Sequence, residues 1–253
     1  MPDAPAATVA IVLVGAACAG FVQGLSGFGF SLTALSFWVW VLPPPLAAVL
    51  SVFGALSGQL LAAFSVRRGF EWKALAPFLI GGLLGLPLGL WLLPRVDAVV
   101  FRAFVGALLA VWCPVMLFSG RLPRVGGGRL GDALAGGIGG LMGPLGGFTG
   151  AVPTLWCTLR RFERDAQRAV IQNFNLAVLA VTMDSYLLQG QVTRPMLPLL
   201  ALVLPALLLP ALLGMRLYTR ISPLAFRHVV LGLLTLSGVA MLASSLPKLL
   251  HFN

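Results

Sequence analysis

The sequence predicts an all-α polytopic membrane protein made of two inverted repeats. Each repeat is a short broken-helix hairpin plus three transmembrane helices. Three observations predict this. First, 59% of the 253 residues are hydrophobic, 9% are charged, and the mean hydropathy is +0.99. That balance is foreign to water-soluble domains. Lipid offers the backbone no hydrogen bonds, so only helices and closed barrels cross it, and these apolar runs are too continuous for alternating barrel strands. Second, two glycine-rich stretches, Gly20–Ser31 (GFVQGLSGFGFS) and Gly136–Gly147 (GGIGGLMGPLGG), interrupt apolar runs at matching places in the two halves. Third, the basic residues crowd the loops on one side of the membrane.

The N-terminal repeat occupies residues 1–120. It begins MPDAPAAT, without the basic segment of a signal peptide, so the first apolar run is expected to stay in the mature protein. Residues 8–42 are expected to form a hairpin. Its first helix runs over 8–24, the glycine break follows, and a second helix over 29–42 stops at Pro43-Pro44-Pro45. Each helix-interior glycine costs about 1 kcal/mol relative to alanine, so a cluster of them suggests a helix that stops and restarts. At about 1.5 Å per residue the second arm falls short of a hydrocarbon core of about 30 Å. The tip is therefore expected to stop partway through the bilayer; a fully crossing pair is the alternative. Spans follow at 45–66, 74–93 and 98–118. They are joined by the polar loop Arg67–Lys73 and the turn Pro94–Asp97.

A glycine-rich basic linker at 121–130 leads into the C-terminal repeat, 131–253. Its hairpin, 131–159, breaks at Gly143–Gly147. The charged stretch Arg160–Arg168 is expected to be a loop, and spans follow at 169–188, 195–216 and 223–246. A constant shift places Gly20 on Gly136, Gly24 on Gly140, Leu25 on Leu141 and Gly27 on Gly143. Weaker matches, with small loop insertions, pair Phe53 with Phe174, Pro77 with Pro198, and Phe101-Arg102 with Phe226-Arg227. Each half crosses an odd number of times, so the second enters from the opposite side. Of the 17 Lys and Arg, only Arg95, Arg102, Arg194 and Lys248 then lie on the side of the N-terminus. The positive-inside rule puts the crowded side in the cytoplasm and both termini outside it.

Broken apolar segments in corresponding positions of two halves point to a transporter's binding site. In each hairpin the second helix starts at the tip, where unpaired N–H groups and the positive end of the helix dipole would face a ligand. Two such ends make an anion site without a buried full charge. The candidate substrate-binding residues are Gln23, Gly24, Ser26, Gly27, Phe28, Gly29 and Ser31 at the first tip. At the second they are Gly143, Pro144, Gly146, Gly147 and Thr149, joined by the intramembrane amides Gln172, Asn173 and Asn175. Thr33 and Gln59 are further polar groups at membrane depth. The competing reading is that the glycines only let helices pack closely and the amides only bridge helices. Asp184 is the one acid well inside an apolar segment, a candidate for proton coupling unless it sits at the outer interface. Arg102 and Arg227 either snorkel to the interface or guide anions, and His228 and His251 are expected to be interfacial.

Several classes are excluded. The basic residues set orientation rather than bind nucleic acid. Cys18, Cys113 and Cys157 have neither metal-ligand nor disulfide-framework spacing. No HExxH or GxSxG motif is present, so no enzyme, metal site or cofactor is expected. The expected partners are a small anionic substrate and the lipid bilayer, and a homodimer is a guess that nothing in the sequence supports.

The opening GFVQGLSGFGFSL, the proline turn followed by Leu46-Ala47-Ala48, the RRG loop, the glycine- and proline-rich span 81–94 and the second copy GGLMGPLGG resemble the sulfite exporter TauE/SafE family across essentially the whole chain. An uninterrupted glycine run followed by proline would be expected early in the first repeat; here Phe28, Phe30 and Ser31 intervene. The resemblance implies an inner-membrane carrier for sulfite, sulfoacetate or a related sulfur-containing anion. The expectation is a secondary transporter working by alternating access. An anion channel and a non-transporting membrane scaffold are the alternatives.

Overall fold

The computed structural model describes residues 6–27, 29–65, 69–119, 123–217 and 223–250. Among them are ten α-helices and no strand. These are α1 (Ala6–Ser26), α2 (Phe30–Trp38), α3 (Pro44–Ser65), α4 (Trp72–Leu92), α5 (Ala98–Phe118), α6 (Gly128–Met142), α7 (Ala151–Leu159), α8 (Arg164–Leu188), α9 (Leu197–Leu217) and α10 (Pro223–Leu250). Six are long and apolar enough to cross a membrane: α1, α3, α4, α5, α9 and α10. The chain is a multi-pass helical membrane protein.

Several elements differ from expectation: the second arm of the first hairpin, expected over 29–42, is helical only over Phe30–Trp38, and α6 begins at Gly128, inside the expected linker. The first hairpin arm is a 21-residue helix, about 31 Å long and able to span by length. Helix α8 begins at Arg164, inside the stretch expected to be a loop, where Asp165 in the first turn suits the positive end of the helix dipole. Gln172, Asn173, Asn175 and Asp184 keep α8 out of the six apolar helices, although it is 25 residues long.

The central helix is α3. Of its apolar window 61% is buried, against 22% for α9, so α9 lies at the rim. Exposed Leu209 and Leu213 on α9, and Ile80 and Leu84 on α4, give the rim an apolar surface suited to acyl chains. Helix α1 packs chiefly on α9, α4 on α6, α5 on α10, and α3 on α8. Exchanging α1–α5 in order for α6–α10 returns the same set of pairs.

Glycine makes these crossings close. A Cβ on Gly20 or Gly24 would overlap the carbonyls of Leu207 or Ala211 on α9. On α4, Gly81, Gly85 and Gly89 recur every fourth residue, and each lies on a carbonyl of α6, those of Ala133, Gly137 and Leu141. Gly136 and Gly140 return the contact on Phe78 and Gly82. Small residues at such spacing let backbones approach in lipid, where van der Waals packing drives helix association. The expectation that Gly20 and Gly24 loosen their helix is therefore corrected: α1 continues to Ser26, and the chain breaks only beyond it. Farther along, Asp97 caps α5 by accepting from the N–H groups of Val99 (2.7 Å) and Val100 (2.9 Å).

Candidate functional site

The two breaks end in one place. After α1, the Gly27 N–H donates to the Gln23 carbonyl (2.7 Å), and Gly29 caps α2 at φ 93°, a backbone that a residue with a Cβ adopts only at a cost. After α6, the N–H of Gly147 donates to the Gly143 carbonyl (2.6 Å) and Gly147 takes φ 78° before α7 begins. Helices α2 and α7 have nine residues each, about 14 Å, too short to cross a bilayer. The tips touch: Ser31 Oγ donates to the Gly147 carbonyl (3.1 Å), and Ser51 Oγ from α3 donates to that of Gly146 (2.7 Å).

Between them lies a cavity of about 430 Å³ counting its open mouth, lined by Gly29–Leu32, Gly147–Ala151, Gln23, Ala55, Gln59, Trp112, Asn175 and Leu179. Its polar groups are held in place. Gln23 Nε2 donates to the Ala55 carbonyl and Gln59 Nε2 to that of Gly27, each at 3.3 Å. Thr149 Oγ1 donates to Asn175 Oδ1 (2.9 Å), which leaves the Asn175 NH₂ as a donor group. Trp112 Nε1 donates to the Ala151 carbonyl (3.0 Å) at the start of α7. The starts of two helices, from opposite halves of the chain, thus face one neutral, donor-bearing space. Such a space favours a negative ligand.

Of the sequence-predicted residues, the cavity collects Gln23, Gly29, Ser31, Gly147, Thr149 and Asn175. Gly27 and Gly146 stand just behind it, each accepting a bond through its carbonyl. The others lie off the lining. Gly24 packs on α9, Ser26 Oγ donates back to the Val22 carbonyl (2.7 Å), and Asn173 ties α8 to the Gly69 carbonyl (3.1 Å). Gly143 packs beside Thr149 and Thr182, the Pro144 carbonyl accepts from the Tyr186 hydroxyl, and Gln172 is buried beside Gly27. Phe28 and His251 lie outside the described residues.

Asp184 does not reach the cavity. It stands nine residues beyond Asn175 on α8, roughly 13 Å along the axis and about half a turn round, and it is exposed. Asp184→Asn is therefore expected to leave substrate flux and its response to a pH gradient unchanged. A proteoliposome flux assay with and without that gradient checks it. Arg102 donates to the Val39 carbonyl (3.3 Å) and lies 4.7 Å over the Trp40 ring, so its charge serves the C-terminal end of α2.

Sequence reasoning missed Trp112, Phe148, Leu179 and the cluster at the base of the second hairpin. There Asp132 is buried at 4% exposure, with both carboxylate oxygens 2.6 Å from Arg160 Nη1, while Trp156 Nε1 donates to it (2.8 Å). This joins α6 to the end of α7. Its partners, Trp156 and Arg160, stand 24 and 28 residues farther along, so nothing in the local pattern around Asp132 marks the cluster.

The family model for the sulfite exporter TauE/SafE family matches residues 12–241, and the chain belongs to that family. The family is one of membrane transporters. No curated protein and no solved structure matches the chain.

Proposed function

We propose that this TauE/SafE-family chain is a secondary transporter of a small anion, a sulfonate or sulfite-type sulfur oxyanion. It works by alternating access around the paired hairpin tips. The observation that carries the proposal is the shared cavity: α2 and α7 both start at it, and Gln23, Ser31, Gln59, Thr149 and Asn175 supply neutral polar groups. Neutral donors and helix ends hold an anion firmly enough to select it and loosely enough to release it. The preference for sulfur rests on the family alone.

The exchange symmetry of helix pairs supports two repeats, 1–120 and 131–253, one rocking against the other about the linker 121–130. Ser31 and Gly147, which the glycine alignment superposes, touch, as equivalent positions do on a two-fold axis. The basic side is assigned to the cytoplasm of an inner membrane, with both termini outside.

The test is counterflow of ³⁵S-labelled sulfoacetate in proteoliposomes. Asn175→Ala removes the Thr149 partner and the cavity amide, and a hydrogen bond lost to a charged ligand costs about 1.5–3 kcal/mol. Flux should fall about tenfold or more, since about 1.4 kcal/mol is a factor of ten. Saturable counterflow sensitive to Asn175→Ala is the expected result. Large unitary currents, or counterflow indifferent to the substitution, would contradict the proposal.

A further inference from the structure

The cavity's lining has a consequence for energy coupling. Every described residue that lines it is electrically neutral: its polar groups are amides, hydroxyls, an indole and backbone. The described acids are elsewhere. Glu71 and Asp97 are exposed at the starts of α4 and α5, Glu163 and Asp165 are exposed at the start of α8, Asp132 is paired with Arg160, and Asp184 is exposed on the far face of α8. Of the described basic residues on the helices that line it, Arg168 is exposed near the start of α8 and the other two are committed. Arg102 on α5 reaches the end of α2, and Arg160 holds Asp132 at the far end of α7.

Resting on the anion site proposed above, we propose that transport is electrogenic: the anion crosses with its own charge uncompensated, drawn by the membrane potential, and no side chain of the site carries a proton with it. Coupling a proton through this site needs a side chain beside the substrate that gains and loses a proton between the two facing states. None of the amides, hydroxyls or the indole that line this cavity does so near neutral pH. The helix ends offset the anion's charge while it is bound, but they are partial charges fixed in the protein and do not leave with it. Under an inside-negative potential the net movement is outward.

The experiment uses the purified full chain in proteoliposomes, with ³⁵S-sulfoacetate as the probe between pH 6.5 and 8, where both of its acid groups stay ionised. A potassium gradient with valinomycin sets the potential; a pH gradient is imposed separately. An inside-positive potential should drive uptake, approaching about a 50-fold gradient per translocated charge at 100 mV, because that voltage is worth about 2.3 kcal/mol per charge. A pH gradient at zero potential should drive none. Accumulation that follows the pH gradient and ignores the potential would overturn the proposal. So would uptake that requires an anion on the opposite side and carries no charge. In either case a loss of flux in Asn175→Ala would leave the anion site standing while the electrogenic claim falls. Flux unaffected by Asn175→Ala would instead remove the site, and with it this inference.

Discussion

Gly147→Val is expected to abolish substrate flux while the protein still inserts in the membrane and purifies as a monodisperse species. Two effects act together. Gly147 has φ 78°, and a β-branched residue in that region costs about 1–3 kcal/mol. Its Cβ would also stand 2.5 Å from Ser31 Oγ, the hydroxyl that bonds the Gly147 carbonyl and holds the two tips together. Relief requires Ser31 Oγ to rotate away and give up that bond, or the tips to separate at the mouth of the cavity. Gly190 provides the control: it has φ 68° but nothing within 4 Å of an added Cβ, so Gly190→Val carries the backbone strain alone. Gly190→Val should keep flux and Gly147→Val should lose it. Paired counterflow assays and size-exclusion profiles in detergent decide between them. Normal flux in Gly147→Val would take the site away from the tips.

The second large effect falls on the fold. Gly140→Val should prevent recovery of monodisperse protein, because its Cβ would overlap the backbone carbonyl of Gly82 on α4. Backbone on both sides cannot yield as a side chain can, so the cost exceeds the roughly 1–3 kcal/mol of ordinary overpacking. Gly137, one turn earlier on α6, is the contrast. An added Cβ there comes 3.5 Å from the Gly81 carbonyl, an ordinary contact, so Gly137→Ala should be tolerated. Equal yields from both variants would argue against this close crossing of α4 and α6.

These glycines also show what could and could not be read from the sequence. Composition gave the membrane class, because an apolar content this high has few physical outcomes. Matched glycine clusters gave the two tips, and polar residues beside them gave Gln23, Ser31, Thr149 and Asn175. The individual roles of the glycines were not legible. Gly20, Gly24, Gly136 and Gly140 have the same local spacing as a broken helix, yet they serve helix crossings whose partners, α9 and α4, are distant in sequence. A residue's own neighbourhood holds no record of which helix will cross it. Trp112 was illegible for a similar reason. Within an apolar run a tryptophan looks like lipid-facing bulk, and only the packing of α5 brings its indole to the start of α7. Asn173 and Asn175 were indistinguishable by type. They differ by two positions on α8, about 200° round the helix, which turns one to the Gly69 loop and the other to the cavity.

The most direct measurement is the melting temperature of the purified protein in detergent against sulfite, sulfate, sulfoacetate, taurine, acetate and chloride, repeated with Asn175→Ala. A ligand at about 100 times its dissociation constant stabilises the folded state by about 2.7 kcal/mol. An anion site at the paired tips predicts selective stabilisation by sulfite or sulfoacetate that Asn175→Ala diminishes. No shift with any anion, or the same shift in the variant, would contradict it.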